Sequence, residues 1–153
     1  MNLRGLINNV IKEEFSLTEE REQFDILYHG TDLESAMSIQ QNGIDMSKAH
    51  GGYFGWGFYT TPDIELAKSN YGDFSEGEGS AVLEFKLDPN ANILDLRDEQ
   101  DFELWKRYNR LIYDKNAYKK FVSDGIDGLW DDSFDGVVVY NPNVLKLINI
   151  HNF

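Results

Sequence analysis

The sequence predicts an α+β domain: two small, mostly antiparallel sheets packed together with a cleft between them. Short β-branched and aromatic runs sit early (25–29, 58–60, 81–87) and late (128–130, 136–140, 144–150), while helical spacing fills the stretches between. Turn chemistry separates them, as in Asp88-Pro89-Asn90 and the tight Asn141-Pro142-Asn143. No repeat, linker or low-complexity tract interrupts the chain, so residues 1–153 read as one domain. A chain of this length buries about 70% of its unfolded surface and needs neither disulfide nor metal to hold together.

In order, region 1–22 opens with Leu3, Leu6, Ile7, Val10, Ile11 and Phe15 at helical spacing, an amphipathic helix expected to pack on its own domain. Residues 25–29 form a strand with apolar Ile26 and Leu27. Thr31-x-x-Glu34 reads as a capping box for a helix running to about Asn42, and Gly43 supplies its stop. From Ala49 to Trp56, with Gly57 beyond, glycines alternate with aromatics, a loop whose backbone can wrap a ligand. Tyr53, Phe54 and Trp56 there either touch a substrate or fill the base of the loop.

After the strand 58–60, Thr61 is placed to cap a helix with Pro62 at its first position and Asp63 and Glu65 at the positive end of the dipole. That helix carries Ala67 and ends near Tyr71. Residues 72–79 are an acidic, glycine-rich loop, and 81–87 alternate as a strand. Phe102, Trp105, Asn109 and Ile112 mark one face of a helix over 99–113, with a shorter helix over 116–122.

Charge and composition exclude several functions. With 14 basic against 27 acidic residues the chain carries a net −13, which repels polyanions and disfavours nucleic acid. The exception is Lys106, Arg107, Arg110, Lys115, Lys119 and Lys120, read as a solvated helix face with Glu103 and Arg107 paired, or else as a docking patch. The absence of cysteine removes disulfides, a thiolate nucleophile and Cys-ligated zinc. Neither a secretion signal nor a membrane span is readable, so a cytoplasmic monomer away from membranes is expected. His29, His50 and His151 lack metal-site spacing, and the Asp124, Asp127, Asp131, Asp132, Asp135 series lacks the EF-hand pattern and reads as a solvated turn. There is no Gly-x-Ser-x-Gly elbow, and no strand immediately precedes the glycines of 51–57, as a dinucleotide fingerprint requires.

The most telling residues are Leu27-Tyr28-His29-Gly30-Thr31 followed by Gly55-Trp56-Gly57-Phe58-Tyr59-Thr60-Thr61-Pro62. Each half sets a stacking or hydrogen-bonding side chain beside glycine, which lets backbone approach a flat ligand closely. His29 and Tyr59 so placed can grip one planar, polar molecule; alternatively they are a strand-end histidine and a core tyrosine. With the helix closing at Gly43-Ile44, then Ala67-Lys68-Ser69-Asn70-Tyr71 and a late Val137-Val138-Val139-Tyr140-Asn141-Pro142, this order resembles the ADP-ribosyltransferases, in the branch of poly(ADP-ribose) polymerases and diphtheria toxin. The resemblance spans about residues 25–150.

The resemblance implies a split β-sandwich with NAD, the substrate, in its cleft. His29 would bond a ribose hydroxyl, the Gly30 backbone the nicotinamide amide, and Thr31 would lie near the adenosine ribose. Tyr59 would stack on nicotinamide and Tyr71 cover its other face. Active members often carry Glu at the start of the penultimate strand, four residues before the aromatic matching Tyr140; here that position is Gly136, with Asp135 one residue earlier. A one-residue slip turns a side chain to the opposite face unless a bulge restores it.

The implied activity is mono-ADP-ribosyl transfer from NAD to an unidentified acceptor, protein rather than nucleic acid, with His29, Tyr59 and Asp135 catalytic, as in a toxin-like or phage-derived effector. The alternatives are a catalytically weak or silent NAD-binding module, an NAD glycohydrolase, and an RNA 2′-phosphotransferase, the last needing a positive groove that a net charge of −13 disfavours.

Overall fold

The computed structural model describes residues 23–49, 51–52, 54–69, 80–131 and 136–153. Among them the strands are β1 (Ile26–Asp32), β2 (Phe58–Thr60), β3 (Ser80–Leu87), β4 (Ile93–Asp95), β5 (Gly128–Asp131), β6 (Gly136–Val139) and β7 (Leu145–Asn152). The helices are α1 (Leu33–Asn42), α2 (Ile64–Ala67), α3 (Glu99–Lys106) and α4 (Ala117–Ser123). One sheet runs β1-β3-β7 and is antiparallel throughout; the other runs β2-β6-β5-β4, antiparallel except where β4 lies parallel to β5. The α+β class and the two small, mostly antiparallel sheets are as the sequence predicts. The expected helix within 1–22 and the loop 72–79 lie outside the described residues.

Strand alternation sorts side chains into two cores. Leu27, Leu83 and Phe85 of the first sheet meet Phe58, Val137, Val139 and Trp130 of the second, and Ala36 of α1 and Met46 join them. The opposite face of the second sheet sends Leu94, Leu129, Val138 and Tyr140 against Tyr108, Ala117 and Phe121 of the helical segment. There Tyr108, Phe121 and Tyr140 stack in a column, with ring centroids 4.5 and 4.1 Å apart. The second sheet, apolar on both faces, is thus the middle layer. In β7 a bulge leaves Ile148 without a cross-strand partner, so Leu147 and Ile150 both turn toward the first core.

Several local expectations shift. Thr31 does not cap α1: β1 continues through it to Asp32, whose carboxylate accepts from Ser35 N at 2.7 Å and Ser35 Oγ at 2.9 Å. Gly43 ends α1 as expected, its N–H bonding the Ile39 carbonyl at 2.8 Å. Likewise the cap of α2 is Asp63, while Thr61 is occupied by a strand bridge. The helix over 99–113 stops at Lys106 and resumes as a 3₁₀ turn at Asn109–Leu111. Phe102 on its predicted face is 40% exposed, and the buried residue of α3 is Asp101. Glu103 pairs with Lys106 at 3.1 Å rather than with Arg107. The Asn141-Pro142-Asn143 turn does not close a hairpin; it carries the chain from β6 in one sheet to β7 in the other.

The Ser35 N–H holds the Asp32 carboxyl below its ordinary range, against the opposing effect of burial. Asp32→Ala should lower stability by about 1 kcal/mol at neutral pH, measured by urea denaturation. Because the folded-state pKa is depressed, this difference is fully present above the unfolded-state value of about 4 and vanishes as pH falls through the folded one. A gap that persists in acid would remove the carboxylate from the cap.

Candidate functional site

The two sheets touch edge to edge at one point. Tyr28 of β1 and Thr61, just past β2, exchange backbone hydrogen bonds of 2.7 and 2.9 Å. Both strands are at the edge of their sheets. Were pairing to continue, Gly30 would next face Tyr59; the bridge is instead isolated and the strands part. Backbone groups alternate sides along a strand, so the Gly30 N–H and C=O point as Tyr28's do, away from β3 and into the split.

His29 spans the parting strands. Its Nδ1 lies 2.7 Å from the Tyr59 carbonyl oxygen. A carbonyl only accepts, so Nδ1 carries the hydrogen, and in the neutral ring Nε2 is then an acceptor. The ring, 8% exposed, stacks on Phe58 at 4.1 Å between centroids and 27° between planes. Packing on Phe58 and the hydrogen bond to the Tyr59 carbonyl orient the ring and place a hydrogen on Nδ1.

Tyr59 follows Phe58, so its half-buried side chain leaves the opposite face of the edge strand, toward the second core. The His29–Tyr59 link thus runs from ring to backbone, not ring to ring. The Tyr59 hydroxyl donates to the Gly55 carbonyl at 2.6 Å and accepts from Phe54 N at 3.3 Å. Tyr140 Oη donates to the Phe54 carbonyl at 2.8 Å, and burial first, then the neighbouring Tyr59, pushes the Tyr140 pKa far up, keeping it a neutral donor. Gly52 and Gly55 bond each other's backbones at 3.1 and 3.0 Å, closing a tight loop.

That loop rests on the protein itself. A Cβ on Gly52 would lie 2.6 Å from Tyr59 Cζ, and Gly55, at φ 87°, would bring one to 3.0 Å from the Ile112 carbonyl oxygen. These glycines are required because the loop packs against Tyr59 on one side and the helical segment on the other. Phe54 fills its base, 2% exposed and edge-on to Trp105 at 5.5 Å.

Of the residues singled out in the sequence, His29 and the Tyr59 backbone meet at the seam, Gly30 and Thr31 follow in β1 opposite Val82 and Ala81, and the Tyr59 ring packs toward the second core. Tyr71 and Asp135 lie outside the described residues, as do Tyr53 and His50. Gly136 pairs with Asp131 in an unbroken β5–β6 register, on the face shared by Val138, Tyr140 and Tyr59. Two of the aspartates read as a solvated turn are tied down. Asp127 accepts from Asn92 N at 2.8 Å and Asn141 Nδ2 at 3.0 Å, and Asp124 accepts from Tyr108 Oη at 2.6 Å.

Sequence reading missed one buried polar cluster. Asp95, 3% exposed, receives Arg97 Nε and Nη2 at 3.1 and 2.8 Å, while Asp101, also 3% exposed, accepts from Asp95 N at 3.0 Å. The Arg97 guanidinium lies 4.2 Å over Trp130. The available signal was an acid and a base two residues apart, Asp95 at the end of β4 and Arg97 in the turn that follows it.

No protein-family model matches the chain, and no curated protein matches it. No helix among the described residues is long and apolar enough to cross a membrane.

Because the Tyr59 hydroxyl braces the loop, Tyr59→Phe should cost about 1 kcal/mol in urea denaturation even where the ring suffices for ligand stacking. Gly52→Ala, which drives a methyl into that phenol, should cost about 1–3 kcal/mol. Wild-type stability in both variants would show that the loop does not rest on Tyr59.

Proposed function

We propose that this protein is a mono-ADP-ribosyltransferase of the His-Tyr class, which cleaves NAD at the nicotinamide–ribose bond and passes ADP-ribose to a protein acceptor. Nicotinamide in NAD is a pyridinium, its own leaving group, and departs from a ribose carbon that becomes oxocarbenium-like. The protein must hold the two ends and stabilise the growing positive charge; little covalent work is required. The observation that carries the reading is the His29–Tyr59 link at the parting of the two sheets. His29, held through Nδ1 by the Tyr59 carbonyl, is the residue that the resemblance assigns to a ribose hydroxyl. The Gly30 N–H and C=O, aimed into the split, match the C=O and NH₂ of a carboxamide. The order of motifs from His29-Gly30-Thr31 to Asn141-Pro142 supports the same assignment.

A second reading has its own observation. Gly136 begins β6 where active relatives place a carboxylate, and a chain lacking that group would bind NAD and turn over slowly or not at all. Asp135→Ala addresses this: equal rates of nicotinamide release in variant and wild type would exclude the neighbouring carboxylate from the site. An NAD glycohydrolase is separated by the product, free ADP-ribose instead of a labelled protein.

Incubation with NAD labelled in the adenosine half and host lysate should label protein, and nicotinamide release should fall by about 100-fold in His29→Ala and Tyr59→Ala. NAD affinity without any nicotinamide release, at high protein concentration and with lysate present, would establish the silent module instead.

A further inference from the structure

The segment 104–122 holds six cations and a single acid, a net of +5 in a chain whose total is −13, which leaves −18 on all other residues. Lys106 and Lys120 are tied to Glu103 and Asp124 at 3.1 and 3.2 Å. Arg107, Arg110, Lys115 and Lys119 are exposed, and none has an ion-pair partner among the described residues. Among them stands Tyr113, 87% exposed. The inner side of the segment is spent on packing, with Tyr108, Ala117 and Phe121 against the second sheet, so the cations form its outer surface. Between Arg110 and Tyr113, the Ile112 backbone supports Gly55 of the loop that rests on Tyr59. The basic surface therefore adjoins the candidate site.

We infer that this surface docks a short acidic segment of the acceptor protein, holding it beside the cleft for transfer. The inference rests on the transferase reading above and adds the class of acceptor. Opposite charges across the contact raise the encounter rate and set orientation, and the exposed Tyr113 gives an aromatic anchor in the same segment. The extent of the patch favours an acidic peptide stretch over nucleic acid. Duplex DNA carries a charge about every 1.7 Å of axis, so a polynucleotide on Arg107–Lys119 continues onto a surface of the opposite preference. Screening over about 8 Å lets a few carboxylates feel the local cations while largely escaping the remaining −18.

The test uses the full chain and a fluorescein-labelled oligoglutamate of about ten residues, followed by anisotropy at low salt. A triple variant, Arg107→Gln/Arg110→Gln/Lys115→Gln, is compared with an equally charged control, Lys48→Gln/Lys86→Gln/Lys146→Gln, all six positions being exposed. The patch variant should bind at least about tenfold more weakly than wild type and the control less than about twofold, with basal nicotinamide release unchanged in both. Equal losses in the two variants would assign the binding to net charge and overturn the patch. Displacement of the peptide by a single-stranded oligonucleotide of equal charge, at lower concentration than unlabelled oligoglutamate, would overturn the acidic-protein assignment. Peptide binding that follows the patch in a protein releasing no nicotinamide would overturn the transferase reading and leave the docking surface standing.

Discussion

The architecture turns on a failed pairing. Two edge strands from different sheets come together at Tyr28 and Thr61, exchange one pair of hydrogen bonds, and separate. Continued pairing would have fused the sheets and used up the outward backbone groups of Gly30. Complete separation would have exposed two edges to water and to other chains. His29 occupies the intermediate geometry: its imidazole takes over the Tyr59 carbonyl that the next rung would have used. A buried carbonyl without a partner costs about 1–3 kcal/mol, so the imidazole helps keep the split from becoming a defect. One residue thus serves both the opening and its stability.

Much of this was legible in the sequence because it is local. Period-two alternation in 81–87 and the β-branched run Val137-Val138-Val139 each specify a strand without reference to any neighbour, and both strands formed there. Pairing was not legible. Nothing local says that β6 and β7, separated by a tight turn, join different sheets, or that β4 lies parallel to β5. Those choices follow from which faces can be buried together, a property of the whole chain. The capping residue of α1 moved for a related reason: Thr31 suits an N-cap by its side chain, yet its backbone is needed opposite Ala81, and Asp32 supplies the same carboxylate-to-amide bond one residue later.

At the candidate site, the sequence marked His29 and Tyr59 but not how their side chains are oriented. The His29 ring meets the Tyr59 backbone, while the Tyr59 ring packs toward the second core beside glycines that make room for it. Gly52 and Gly55 lack side chains because Tyr59 and Ile112 occupy the space a Cβ would fill. Two phenols, Tyr59 and Tyr140, brace the intervening Phe54-Gly55 backbone. A composition rich in glycine and aromatics reads the same whether the loop wraps a ligand or its own scaffold; only distances separate the two. Here the loop also links the seam to the helical segment, whose Ile112 backbone lies against Gly55.

The magnitude of electrostatic terms decides what Gly136 means for the proposed chemistry. A chain with net −13 carries a diffuse charge of the sign that stabilises an oxocarbenium-like ribose. Yet charges beyond about 8 Å in physiological salt are largely screened, and exposed carboxylates act through water. A single carboxylate about 4 Å from the cation, at the effective dielectric of a protein surface, contributes on the order of 4 kcal/mol, a factor of about a thousand in rate. No sum of remote surface charge replaces it. Catalytic power in such a site therefore depends on whether one carboxylate reaches the scissile bond from the residues preceding β6, and the acidity of the remaining chain governs only which partners approach.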